Sequence, residues 1–190
     1  MPTIRDLVLS SITKTLNASD RFRGSFDDEK NAYVINKVKL TGAAFATTDI
    51  QIKVSEINGN AAIKLCMYCP VSARDNKETM CDFLTYVNYG MLLGTFEIKP
   101  MFISRGSRSI PGGTVRYRRT ITISEDPDVA GKMLERSLEI GCDIIVASSG
   151  VFKKIASTSK YQFLDTLYDL EDLKEKPAFE KISFCFDDDI

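Results

Sequence analysis

Arg105, Arg108, Arg116, Arg118 and Arg119, with Tyr117 among them, form the one basic concentration in this sequence. Guanidinium forks grip carboxylate or phosphate, and an aromatic ring beside them can stack. Arg105, Arg108, Arg116, Tyr117 and Arg118 are therefore the candidate residues for binding a partner or an anion. The plainer alternative is a solvated face on which Glu97, from the neighbouring strand, pairs with Arg116 or Arg118.

Other chemistry is scarce. The chain has no histidine, which removes Ser–His and Cys–His nucleophile activation, the commonest neutral-pH base and most zinc sites. Cys66-Met-Tyr-Cys69 is a C-x-x-C, but it lies in an alternating segment, where residues three apart point to opposite faces of a strand. Its two sulfurs diverge, and ordinary packing is the expectation. No phosphate-cradling G-x-x-x-x-G-K-S/T loop or G-x-G-x-x-G turn is present. Neither catalysis, metal nor cofactor is expected.

The 190 residues carry 25 basic and 26 acidic side chains, a net charge of −1. That balance argues against bulk attraction to nucleic acid or a membrane surface. The longest uncharged run, Phe83 to Phe96, is too short to cross a bilayer. The beginning is too broken by charge for a signal peptide. Five cysteines, an odd number, suit a reducing compartment, so a cytoplasmic location is expected.

Such groups need a frame, and the periodicity supplies one. Thr3 with Asp6 approximates a capping box, and Ile4, Leu7, Val8, Ile12 and Leu16 recur at helical spacing to about Asn17. The period then becomes two. A strand is expected around 33–40, and a second holds Ile50, Ile52 and Val54. Asn58-Gly59-Asn60 makes a hairpin, and 62–68 returns. Phe22 to Phe26 adds a short edge strand at most. Pro70 is expected to stop the sheet. Asp75 starts a helix on which Met80, Phe83, Leu84, Val87 and Met91 share a face, with Gly90 at its end. Gly94, Phe96 and Ile98 alternate in the next strand. An Arg- and Gly-rich loop follows to Gly113, then a strand whose face of Val115, Tyr117, Ile121 and Ile123 opposes Arg116 and Arg118. Arg119 falls on the apolar side, at the rim or paired with a carboxylate. Asp126-Pro127 begins a long helix with a stripe of Val129, Met133, Leu138, Gly141, Ile145, Ser148, Phe152 and Ile155. Gly141 permits close packing, and a kink or break is expected near Ser148. Beyond Thr158, one helix (Phe163 to Leu170) and one strand (Ile182 to Phe186) are expected before Asp187-Asp-Asp189.

The fold class is thus α+β: an antiparallel sheet of about five strands with helices on one face, in the order α-β-β-β-α-β-β-α. Residues 1–158 make the domain, and 159–190 a helix-and-strand extension packed on it or on a partner. Three motifs, Phe83-Leu-Thr-Tyr-Val-Asn88, Leu93-Gly-Thr-Phe-Glu-Ile98 and Gly113-Thr-Val-Arg-Tyr-Arg118, carry a resemblance. Over roughly Ile4 to Ile155 the chain resembles the YbjN domain family, whose fold is similar to that of type III secretion chaperones. The resemblance implies a small non-enzymatic protein-binding module, chaperone-like or regulatory, and a homodimer with a protein partner. It supplies no functional residues. The alternative is a small-ligand or anion binder, with the loop from Arg105 to Gly113 closing over phosphate or carboxylate.

Overall fold

The computed structural model describes residues 2–73, 76–89, 91, 93–105, 108–124 and 126–157, with 101–105 and 108–112 described by their backbone. The chain opens with α1 (Ile4–Ala18), held at its start by a full capping box in which Thr3 and Asp6 each satisfy the other's backbone N–H. Hydrogen bonding to the Asp6 carboxyl from the Thr3 backbone N–H, and from the Thr3 side chain, holds it below its ordinary value. Thr3→Ala removes the hydroxyl half of the box, an expected loss of about 1 kcal/mol. Thermal unfolding should show it as a fall in Tm of about 3 °C.

Strands β1 (Ser25–Asp27), β2 (Ala32–Lys39), β3 (Thr47–Ile57) and β4 (Asn60–Ala73) follow, then α2 (Lys77–Tyr89), β5 (Thr95–Arg105) and β6 (Arg108–Ile123). A single 3₁₀ turn at Pro127–Val129, capped by Asp126, leads into α3 (Ala130–Ser157). The sheet is antiparallel and six-stranded, in the order β1-β2-β3-β4-β6-β5. The expected α+β architecture holds, with one more strand than expected because three residues, Ser25–Asp27, pair with β2 at the edge.

The β3–β4 hairpin forms where Asn58 and Gly59 both take positive φ (51° and 78°), as a two-residue type I′ turn demands. Ile57 consequently faces Asn60, and the register runs unbroken to Asp49 opposite Tyr68.

Three expectations are corrected. Pro70 does not end the sheet: β4 runs on to Ala73 through a register shift between Tyr68 and Ser72, and a bulge asks no ladder hydrogen bond of proline. The Arg- and Gly-rich segment is not a long loop, because Arg105 pairs with Arg108 and the ladder continues through Phe102 opposite Pro111 and Pro100 opposite Gly113. Phe96 directs its N–H and C=O outward, away from β6. Strand alternation gives Pro100 the same outward direction, so its missing N–H breaks no pairing. Third, α3 shows no break near Ser148. It is one helix of 28 residues, about 42 Å long, and Ser149 Oγ donates to the Val146 carbonyl at 2.8 Å while accepting from Ala44 N–H.

One face of the sheet is covered. Ile50, Ile52, Ile63, Leu65, Met67, Val115 and Tyr117 meet Val8, Ile12 and Leu16 of α1, Phe83 of α2, and Leu134, Leu138, Ile145 and Phe152 of α3. Phe152 stands edge-on to both Phe83 and Phe96, with ring centroids 5.7 and 4.9 Å away. Along the α3 stripe Val129 and Met133 are exposed, and the rest is buried. No helix among the described residues is long and apolar enough to cross a membrane. The helix-start and helix-end roles expected of Asp75 and Gly90, and the whole extension from 158, lie outside the described residues.

Candidate functional site

Among the described residues nothing packs on the opposite face of the sheet, and strict alternation fills it with polar side chains. Cross-strand rows can be read from the register: Asp49, Tyr68, Arg116 and Glu97 in one; Gln51, Cys66, Arg118 and Thr95 in the next; Lys53, Lys64 and Thr120 in a third. Glu97 is the hub of the first two. Its Oε1 accepts from Arg116 Nε at 2.6 Å and its Oε2 from Arg118 Nη1 at 3.2 Å. The Tyr68 hydroxyl donates to Gln51 Oε1 at 3.0 Å and accepts a long hydrogen bond of 3.4 Å from Arg116. Lys99 Nζ lies 5.1 Å from the Tyr68 ring centroid, within cation–π range.

Among the described side chains of β2 to β6, this face presents Lys39, Lys53, Lys64, Lys99, Arg116 and Arg118 against Asp49 and Glu97 alone. Lys53 and Lys64 stand directly opposite each other. Both are exposed, and neither has a carboxylate partner among the described residues. Like charges in that position destabilise a sheet.

The structure therefore brings Arg116 and Arg118 together, tied through Glu97. It does not bring Arg105 and Arg108 to them. Those two are cross-strand partners at the far end of the hairpin, eight residues or roughly 25 Å along the strand from Glu97. Tyr117 is on the other face entirely. It is fully buried, donates its hydroxyl hydrogen to Leu93 O at 2.5 Å, and packs edge-on to Phe96. Burial pushes its phenol up to about 12, with Arg119 opposing the shift. Tyr117 is a core residue and belongs to no binding face. Arg119 shares its covered side and is half-exposed, as the rim alternative requires; its Nη1 is buried with no hydrogen-bond partner, and no carboxylate pairs with it among the described residues.

The C-x-x-C sulfurs diverge. Cys66 is on the uncovered face between Lys64, Arg116 and Arg118, and Cys69 is fully buried beneath it. Burial raises the Cys66 thiol, pushes that of Cys69 far above the ordinary range and takes Cys142 to about 11, which works against a reactive thiolate at all three positions. Among the described residues no group of three or more His, Cys, Asp or Glu could hold a metal ion.

The lysines are what the arginine cluster concealed. Lys53 and Lys64 sit in two separate segments and make no cluster in sequence, but the Asn58-Gly59 turn sets them face to face. No family model matches this chain, and searches of curated proteins and of solved structures give no match.

Proposed function

We propose that this protein is a non-enzymatic protein-binding module, chaperone-like or regulatory, whose uncovered sheet face receives an acidic segment of a partner. One observation carries the reading: among the described side chains of β2 to β6 the sheet face holds six basic groups against two acidic ones, with Lys53 and Lys64 opposed and without a carboxylate partner there. A carboxylate laid across that pair relieves its repulsion, and complementarity of this kind governs encounter rate and choice of partner. The resemblance to YbjN domains points the same way, and the homodimer and cytoplasmic setting it implies belong to the proposal.

The arginines make a poor test, because removing them strips Glu97 of its partners. The lysines make a clean one. Lys53→Glu with Lys64→Glu should leave the circular dichroism spectrum unchanged. Binding of a fluorescein-labelled poly-glutamate 20-mer, read by anisotropy at low ionic strength, should weaken at least tenfold. Equal affinity in wild type and double variant rejects the face.

A further inference from the structure

We infer that the outer face of α2 is a second docking surface, whose occupant is an arginine-bearing segment of a protein partner. It lies in the helical layer, has the opposite charge to the sheet face, and does not depend on it.

Helical periodicity makes this face. Met80, Phe83, Leu84 and Val87 turn into the core, which leaves Glu78, Asp82, Thr85, Tyr86 and Tyr89 exposed. A shallow cleft of about 480 Å³ opens among Asp82, Thr85, Tyr86 and Tyr89. Tyr86 is 40% exposed and Tyr89 80%. Among the described residues neither ring meets another aromatic or a cation, and neither hydroxyl has a hydrogen-bond partner. One solvated tyrosine needs no explanation, but two on adjoining turns beside a carboxylate make a patch. Tyrosines in such a patch are common anchors for a partner. The Thr85 hydroxyl donates to the Cys81 carbonyl at 2.9 Å, leaving its methyl group to line the cleft.

Charge chooses the occupant. The Asp82 carboxylate has neither a cation nor a hydrogen-bond donor among the described residues. Glu78 stands one turn before it, at a spacing where like charges repel. The helix dipole accounts for Glu78, an acid in the first turn, but not for Asp82 in the second. Lys77, the one cation of α2, lines a different groove with Cys81 and Glu97. Two ring faces, an apolar wall and one carboxylate together suit a guanidinium, which stacks on a phenol ring while its fork meets the carboxylate. A lysine ammonium would meet the carboxylate but offers the rings no plane. A purely apolar segment would leave Asp82 desolvated and unpaired.

The full-length, isotope-labelled chain tests this by titration with the peptide acetyl-Ala-Arg-Ala-Arg-Ala-amide, read residue by residue in amide spectra. Shifts should be largest across 82–89 and should saturate. Asp82→Asn should weaken binding about threefold, and Tyr86→Ser with Tyr89→Ser about tenfold. All three positions are exposed, so the circular dichroism spectrum should stay unchanged. The matching lysine peptide should bind more weakly than the arginine one. Shifts centred elsewhere, equal affinity for the lysine peptide, or variants that bind as wild type does each overturn the inference. So does an equal loss from Asp143→Asn, an exposed carboxylate on α3, which would reduce the effect to net charge. Shifts across 82–89 that depend on the concentration of the chain alone would give the face to a second copy and also overturn it. The sheet-face reading stands or falls separately, on its anionic probe.

Discussion

Replacing Gly141 with valine should lower the unfolding free energy by about 3 kcal/mol. A Cβ at this position would meet the Met67 sulfur and come within 3.0 Å of the Tyr117 ring. Both neighbours are fully buried on the sheet, so neither has anywhere to go. The helix-forming gain from losing glycine, up to about 1 kcal/mol, is smaller than the overpacking cost and is reduced further by valine's branching. Gly150 supplies the control within the same helix. A Cβ there meets nothing within 4 Å, so Gly150→Ala should stabilise by about 1 kcal/mol. Denaturant unfolding of the two variants should therefore shift the midpoint in opposite directions. A small or favourable effect of Gly141→Val would mean that α3 does not ride as close to β4 and β6 as described.

Much of this architecture is legible in the sequence because local and global signals agree. The Thr3–Asp6 box, the alternation of Ile50, Ile52 and Val54, and the Asn58-Gly59 turn each state a local preference that the sheet and helices also require. Disagreement begins where a residue's local meaning depends on which side of a strand has a neighbour. Proline breaks strands by local rule, and Pro70, Pro100 and Pro111 all stand within strands, yet a proline is harmless at a bulge or where its missing N–H points away from the ladder. That direction follows only from knowing that β5 is the edge strand and that β4 pairs with β6 no further than Gly113. Ser148 and Ser149 similarly lower helix propensity, but burial against the sheet outweighs a few tenths of a kcal/mol per residue.

The proposed binding face is half legible. Clustering along the chain drew attention to five arginines and Tyr117, but in a strand adjacent residues part company. Alternation sends Tyr117 into the core and leaves Arg116 and Arg118 outside, satisfied by Glu97. The stronger feature, Lys53 against Lys64, was available from the turn. In a two-residue hairpin with Ile57 opposite Asn60, stepping outward from the turn pairs residue 53 with residue 64. Contiguity in sequence is a poor guide to charge on a sheet, and register is the better one.

The second large effect is expected at Asn88, the last residue of the Phe83–Asn88 motif. Its carboxamide lies against the outer edge of β5 and acts as one residue of a further strand. Nδ2 donates to Phe96 O and Oδ1 accepts from Phe96 N–H, both at 2.7 Å. These are part-buried backbone groups on an edge strand, and among the described residues no other partner is shown for them. Asn88→Ala leaves a donor and an acceptor unsatisfied, at about 1 to 3 kcal/mol for a buried group, so a total near 3 kcal/mol is expected. Asn88→Asp keeps the acceptor and loses the donor, and should fall between alanine and wild type. The alanine variant should differ in a second respect. With its outward N–H and C=O freed, β5 becomes an open edge able to pair with another chain. Light scattering below the unfolding temperature should then rise with protein concentration for Asn88→Ala and stay flat for wild type. A loss of stability without that rise would mean that α2 and Pro100 protect the edge by themselves, and that the Asn88 carboxamide serves only to dock the helix on the strand.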